Sequence, residues 1–336
     1  MFKKRLITLL LALLCFIQGC QYHQNSLQSN TSDTTSEIHF IDTGNSDCIF
    51  IHLPDKNILI DAGDNDDEQK IVQYLVHLEI TKIDYLISTH PDADHCGGLD
   101  AVVANFEIGQ VFVCNGDAQT KTYQDFIYEL NRKGLNPSVP LENQELSLGI
   151  QQSLRFYNTH STSENSNDLS LITLFTDLNT TFLFTGDAGK EIEDSYILDL
   201  PQVNVLKVSH HGSNTGTSDD FIKYLQPDIA VIECGKGNPY GHPHQETIKI
   251  LEKYNVEILR TDELGTIILK SNGKEISFEH HVLFDQNDSA YIGNLNSKKF
   301  HLPSCEGLPQ ENNRIYFKSR KQALDLGYEP CKKCLP

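Results

Sequence analysis

The chain has 336 residues, a length that suits about two domains, and its 39% hydrophobic and 9% aromatic content is that of a globular protein rather than a disordered one. The net charge of −19 argues against a general polyanion binder, whose footprint is basic. The charge is uneven. Residues 291–336 hold eight Lys/Arg and four Asp/Glu, a balance of +4, which leaves −23 on the other 290 residues. Only the tail has the sign that favours a phosphate backbone.

At the N-terminus, Lys3, Lys4 and Arg5 precede the apolar run Leu6–Ile17. That run is too short to span a bilayer comfortably and fits the apolar region of a signal peptide. It ends in Ile17-Gln18-Gly19-Cys20, a small residue before a cysteine, which resembles a bacterial lipobox. Residues 1–20 are therefore read as a lipoprotein-type signal peptide. Cys20 becomes the lipidated first residue of an extracytoplasmic protein anchored to the membrane at the cell surface. Residues 21–36, rich in Ser, Thr, Asn and Gln, read as a polar tether. Of the nine cysteines, Cys15 and Cys20 belong to the leader, and Cys305, Cys331 and Cys334 cluster in the tail. Cys48, Cys96, Cys114 and Cys234 lie in apolar stretches as small core residues, so no disulfide framework is expected.

Ordered sequence starts at Glu37. EIHFIDT, DCIFIHL and NILIDAG are three short β-rich runs separated by turn residues. Asp67–Glu79 has helical spacing, with Ile71, Val72, Leu75 and Leu78 on one face. Strands are expected over Ile83–Ser88 and Val111–Cys114, a helix near Tyr123–Arg132, then strands in SLRFYNT, LSLITLF and TTFLFTG. A helix near Lys190–Leu198, the strand VNVLKVS, a helix near Ser218–Leu225 and the strand DIAVIEC follow. A helix over His244–Tyr254, the strand VEILR and the hairpin TIILK–SNGK–EISFE close the domain at residue 281. Two β-rich halves, each with helices, suit a four-layer αββα sandwich of the α/β (α+β) class. Residues 282–290 form a polar break. The 291–336 block beyond it has too little apolar content for a core of its own, so a metal is expected to supply its folding energy.

The densest chemical signal is Thr89-His90-Pro91-Asp92-Ala93-Asp94-His95-Cys96-Gly97-Gly98. Two imidazoles and two carboxylates in six residues at a strand end would repel and desolvate badly without a cation. Imidazole and carboxylate together suit zinc, manganese or iron. Asp61 ends NILIDAG, Asp187 ends FLFTGD, His210 and His211 end LKVSHHGS, and His242 and His244 follow DIAVIEC. Each alone is weak, but together they put polar ligands at successive strand ends, where α/β sheets bind ligands.

In this order, Asp61, HxDxDH, TGD, HHGS and GHPH resemble the metallo-β-lactamase superfamily, and within it the hydrolase domain of the ComEC competence family. The similarity covers about residues 37–281. It implies that His90 and Asp92 bind one divalent metal, Asp94 and His95 a second, and that Asp187 bridges them. His211 or His210, with His242, completes the site, and Asp61 orients the ligands. It further implies a hydroxide activated by two metals, with phosphodiester cleavage as the reaction. Many superfamily members place a ligand histidine about twenty residues before the bridging Asp; this chain has Asn167 and Asp168 there. Such an oxygen-rich set tilts the metal from zinc toward manganese. ComEC proteins also carry a multi-helix channel; this chain is read as the hydrolase part alone, tethered.

In the tail, His301-x3-Cys305 and Cys331-x2-Cys334 give two close ligand pairs, a structural-zinc pattern. The block resembles the zinc-binding domain of the Ada DNA-repair proteins, with His301 where Ada has its first cysteine, which argues against methyl transfer. Lys298, Lys299, Arg314, Lys318, Arg320, Lys321, Lys332 and Lys333 form a basic set suited either to phosphate contacts or to a solvated face. The expected function is an exported metal-dependent hydrolase acting on DNA or another phosphodiester, with no protein partner evident. The alternatives are a DNA-capturing lipoprotein with an inactive hydrolase fold, or a lactone, thioester or lactam hydrolase.

Overall fold

The computed structural model describes residues 35–280 and 289–336. The leader, Cys20, most of the tether and residues 281–288 lie outside the described residues. Among those described, no helix is long and apolar enough to cross a membrane.

The first sheet takes strands from both ends of the hydrolase region. These are β1 (Ser36–Phe40), β2 (Ile49–His52), β3 (Asn57–Ile60), β4 (Lys82–Ser88) and β5 (Glu107–Val113), with the C-terminal hairpin strands that become β13 and β14 below. The second sheet holds β6 (Glu145–Gly149), β7 (Gln152–Tyr157), β8 (Ile172–Asp177), β9 (Thr180–Phe184), β10 (Val205–Lys207), β11 (Ile229–Ile232) and β12 (Glu257–Arg260). Strands β13 (Ile267–Ser271) and β14 (Ile276–His280) return to the first sheet, whose order is β14-β13-β1-β2-β3-β4-β5. The second sheet runs β12-β11-β10-β9-β8-β7-β6. In each, the strands that feed the site are parallel: β3 to β4 to β5, and β9 to β10 to β11 to β12. Parallel strands covered on both faces need continuous apolar runs, and LIS, FLF, VL and AVI supply them.

Phe40, Phe112, Phe156, Phe175, Phe182 and Phe184 fill the space between the sheets. Helices cover both outer faces, giving an αββα sandwich. Helices α1 (Glu68–His77), α3 (Leu99–Asn105) and α4 (Lys121–Lys133) pack on the first sheet, with the short α2 (Ala93–Cys96) preceding α3. Helices α5 (Lys190–Ser195), α6 (Asp219–Leu225) and α7 (Gln245–Lys253) pack on the second, and α8 (Thr261–Leu264) is a single turn after β12. Helix α4 shows how local chemistry sets boundaries. Thr120 accepts a hydrogen bond from Tyr123 N at 3.3 Å at its start, and Gly134 closes it at φ 69°. Strand β6 and helix α3 lie outside the expected elements. ELSLG alternates too briefly to mark a strand, and α3 is short and follows the glycines of the metal motif.

The tail forms β15 (Tyr291–Asn294), β16 (Lys299–His301), β17 (Arg314–Phe317) and β18 (Glu329–Pro330), with helix α9 (Arg320–Asp325). One expectation is corrected here. The block does not depend on a metal alone for its folding energy. Phe300, Ile315, Phe317, Ala323 and Tyr328 share one continuous apolar core with Val72, Leu75, Val76, Val102 and Phe106 of the hydrolase layer. Burying one such phenylalanine contributes about 1.5–3 kcal/mol. The tail lacks a core of its own because it borrows its neighbour's. The polar edge of α1 completes the seam. The Gln73 side chain donates to Tyr316 O at 3.1 Å and accepts from Tyr316 N at 2.7 Å. Gln69 donates to Arg314 O at 2.6 Å, and Gln322 donates to Val76 O.

Candidate metal centre

The singled-out side chains converge at the C-terminal ends of the parallel strands. Asp61 follows β3, His90 to His95 follow β4, Asp187 follows β9, His210 and His211 follow β10, and His242 follows β11. The β4 loop is pinned to the β3 loop by backbone contacts: Ala62 N donates to His95 O at 2.8 Å, and Gly98 N donates to Ala62 O at 3.0 Å. A Cβ at Gly98 would lie 2.4 Å from Ala62 O, so the close approach excludes any larger residue. Three positions of the site, Asp61 (φ 57°), His210 (φ 50°) and His211 (φ 53°), hold left-handed backbone. Each costs a non-glycine residue on the order of 1 kcal/mol, and such strain concentrates at functional sites.

Ligand atoms of Asp94, His95, Asp187 and His211 all lie within 4.8 Å of one another. His95 Nε2 is 3.1 Å from Asp187 Oδ1, and His211 Nε2 is 3.4 Å from Asp94 Oδ2 and 3.8 Å from Asp187 Oδ2. His90 packs against His95 at a tilt, with ring centroids 4.1 Å apart and planes at 51°, and its Nε2 is 3.7 Å from Asp92 Oδ2. Asp92 is half exposed and accepts from Ser166 Oγ at 2.9 Å. His210 Nε2 is 3.7 Å from Asp187 Oδ2, while its Nδ1 meets Thr215 Oγ1 at 3.0 Å and Asn167 Nδ2 at 3.4 Å. His242 stands at the rim, its ring 5.6 Å from that of His210 and 6.2 Å from that of His211. Asn167, where this chain lacks the histidine of many superfamily members, thus borders the site through His210.

The rear nitrogens of these rings are fixed. His95 Nδ1 is 2.8 Å from Asp61 Oδ2, and Asp61 also accepts from Thr89 N at 2.8 Å and Thr89 Oγ1 at 2.5 Å. His211 Nδ1 is 3.0 Å from Glu233 O, and His90 Nδ1 lies 3.1 Å from Thr89 Oγ1 and 3.3 Å from Ser170 Oγ. Four buried atoms on the front, His90 Nε2, His95 Nε2, His211 Nε2 and Asp187 Oδ1, make no hydrogen bond of ordinary geometry, and their close contacts are with one another and with the carboxylates of Asp92 and Asp94. Buried polar atoms without partners are rare, and a convergent set of imidazole and carboxylate donors fits divalent cations.

The electrostatics agree. Burial pushes the His211 pKa down, but the nearby carboxylates of Asp187, Asp47 and Asp94 outweigh it and raise it to about 9. Burial alone would raise Asp187, yet the charges of His95 and His211 hold it well below the carboxylate range. His90, buried beside His95, falls to about 3 and stays neutral, the form that binds metals. Protons on His95 and His211 thus do the neutralising that a cation does better.

Three buried charged residues here were not singled out from sequence. Asp47, Lys207 and Glu233 are each at most 1% exposed. A lysine in the apolar strand VLK and a glutamate in AVIE are the signals that mark them, since burying a charge needs a reason.

The second cluster is His301, Cys305, Cys331 and Cys334, whose ligand atoms also lie within 4.8 Å of one another. His301 Nδ1 is 3.4 Å from Cys305 Sγ, and Gly307 N and Lys333 N donate to Cys305 Sγ and Cys331 Sγ at 3.4 Å. Backbone N–H groups of Cys334 and Lys333 hold the Cys331 thiol below its ordinary range. The seven cysteines among the described residues are free, and Cys48, Cys96, Cys114 and Cys234 are buried.

Residues 41–236 match the model of the metallo-β-lactamase superfamily. The chain belongs to this superfamily. Residues 284–336 match the metal-binding domain of Ada, so the metallo-β-lactamase fold carries an Ada-like zinc-binding module at its C-terminal side. The chain is 27% identical over 278 residues to ComE operon protein 3 of Bacillus subtilis, covering 75% of this chain and 35% of that protein. It is 27% identical over 244 residues to Recombination protein 2 of Haemophilus influenzae, covering 70% of this chain and 29% of that protein. It therefore spans about a third of these relatives. Among solved structures it is similar to the metallo-β-lactamase fold protein YhfI of Bacillus subtilis, at 11% identity and a TM-score of 0.43, covering 67% of this chain and 96% of that one. Membership of the metallo-β-lactamase superfamily supports a metal-dependent hydrolase and implies divalent metals, and the Cys/His cluster of the module suits a structural zinc.

Proposed function

We propose that this chain is an exported, metal-dependent phosphodiesterase that acts on DNA, tethered to the membrane through Cys20. The observation that carries the reading is the set of four buried atoms of His90, His95, His211 and Asp187 that make no ordinary hydrogen bond and converge at one sheet edge. His90 and Asp92 would hold one divalent cation and Asp94 and His95 a second, with Asp187 available to both. His211 is favoured over His210 as the further ligand, because its Nε2 is buried and faces Asp94 and Asp187 while His210 is partly exposed. Asn167 and His242 stand at the rim to complete the set.

Divalent cations bound there supply Lewis acidity, which makes a water acidic near neutral pH and offsets charge on the attacking and departing oxygens. The chain's own part is to hold that geometry. Asp61 fixes the His95 ring from behind, and Thr89 and Ser170 fix His90. The carboxylates of Asp92, Asp94 and Asp187 make the donor set oxygen-rich, which suits manganese alongside zinc. The relatives named for competence and recombination support a DNA-related role at the cell envelope. The module, with one structural zinc, offers exposed basic side chains such as Lys299, Lys332 and Lys333 to a phosphate backbone, whereas Lys298 is taken up in the seam by Asn105 and Tyr328.

The test is metal analysis of the purified protein, then incubation with linear DNA in Mn²⁺ and in Zn²⁺, with a lactone and a thioester as controls. DNA cleavage that stops with chelator is expected. A metal-loaded protein that opens the lactone or thioester but leaves DNA intact overturns the phosphodiesterase reading.

A further inference from the structure

A second layer of charge lies directly behind the candidate metal centre. Lys207, the last residue of β10, has no exposed surface. Its ammonium is hydrogen-bonded to Asp47 Oδ2 and donates to Gly186 O at 3.3 Å, one residue before Asp187. Asp47 comes from the other sheet, in the loop between β1 and β2. Its Oδ1 is 3.2 Å from His211 Nδ1, and its Oδ2 is 3.7 Å from His95 Nδ1. Glu233 adds a second cross-sheet link: its backbone carbonyl takes His211 Nδ1 at 3.0 Å, and its Oε1 accepts from Cys48 N at 3.1 Å.

A buried ion pair is poor evidence for stability, since apolar residues of the same shape often do as well. The position of this one points elsewhere. One carboxylate addresses the rear nitrogens of two imidazoles whose front nitrogens converge on Asp94 and Asp187. The ammonium that anchors this carboxylate also holds the turn that carries Asp187. Asp47, Asp61 and His95 are close enough together to take a cation themselves, with ligand atoms within 4.8 Å. Lys207 places the protein's own cation on that cluster, so the fold has no need of an ion on the wrong side of His95.

We infer that Asp47 and Lys207 are a positioning pair, which joins the two sheets and sets His95, His211 and Asp187 for metal binding. The inference rests on the metal-centre reading above. The test is a calorimetric Mn²⁺ titration of the full chain with the module's zinc retained, together with thermal melts of the metal-free site. Asp47→Asn/Lys207→Met removes both charges at nearly constant shape. It is expected to melt close to wild type without Mn²⁺ yet to bind Mn²⁺ about 10- to 100-fold more weakly, as partners behind metal ligands do. Lys207→Met alone strands the Asp47 carboxylate and is expected to melt well below both. Where the double variant does not fold, Asp47→Asn alone carries the same expectation of weaker Mn²⁺ binding. Mn²⁺ affinity within twofold of wild type in a folded variant overturns the inference and leaves the metal centre standing. A wild-type protein that takes up neither Mn²⁺ nor, beyond the module's one equivalent, Zn²⁺ overturns the metal-centre reading and this inference with it.

Discussion

Asp61 Oδ2 lies 2.8 Å from His95 Nδ1, and this contact leaves His95 Nε2 pointing at Asp187 Oδ1, 3.1 Å away. An aspartate after β3 thus sets the ring orientation of a residue after β4 through a rear hydrogen bond. Its cost is visible: burial raises the Asp61 pKa although His95 and Thr89 hydrogen bonds pull it down. A group kept at such expense, on left-handed backbone, is there for orientation.

Asp61→Asn keeps the shape and loses the charge. It is expected to weaken divalent metal binding about 10- to 100-fold, while the described fold persists by circular dichroism. Equal metal affinity in competition titrations with a chromogenic chelator would refute the orienting role.

The module and the hydrolase layer are expected to melt as one unit. Phe317→Ala removes a fully buried ring from their common core and is expected to cost about 3–5 kcal/mol. Chelating the module's zinc is expected to lower the melting temperature of the whole chain in a single transition. The fragment 289–336 with zinc is expected to stay aggregation-prone or poorly ordered, because its apolar face then meets water. Two separate calorimetric transitions, or a well-dispersed spectrum from the zinc-loaded fragment, would contradict this.

Glu193 provides a pH test away from the metal ligands. Burial raises its pKa to about 8, against a hydrogen bond from Thr217 N that favours the charged form. The folded state therefore keeps a proton that the unfolded chain releases near pH 4.5. This contribution to stability is complete below that value and is lost as pH rises toward 8. Glu193→Gln keeps a neutral side chain at every pH. Thermal melts from pH 5 to 9 should show wild type falling relative to the variant as pH rises, by roughly 2–4 °C for each kcal/mol. A constant difference across the range would show that Glu193 does not titrate there.

Much of the site was legible because ligands cluster in sequence where strands end. His90, Asp92, Asp94 and His95 share one loop, and the TGD and HHGS turns each announce themselves by polar residues after an apolar run. Asp47, Lys207 and Glu233 were not legible as a group, since 160 residues separate Asp47 from Lys207 and only the packing of one sheet on the other brings them together. The module's zinc ligands were legible from spacing. Its docking was not, because a pattern such as RIYF shows an apolar face without saying what covers it. Gln69 and Gln73 likewise look like solvated helix positions until the backbone of β17 is placed beside them.

Turnover of bis-p-nitrophenyl phosphate by the Mn²⁺-loaded protein, compared with Asp94→Ala, Asp187→Ala and the double variant, tests the central claim most directly. Both carboxylates lie in one cluster with His95 and His211. Each single variant is expected to lose orders of magnitude in kcat, and the double variant little more than either, since residues that act as a unit are far from additive. Cys334→Ala, in the separate cluster of the module, is expected to keep most turnover of this small diester. Wild-type turnover in Asp187→Ala, or no turnover by a wild-type protein that carries its metals, would contradict the account.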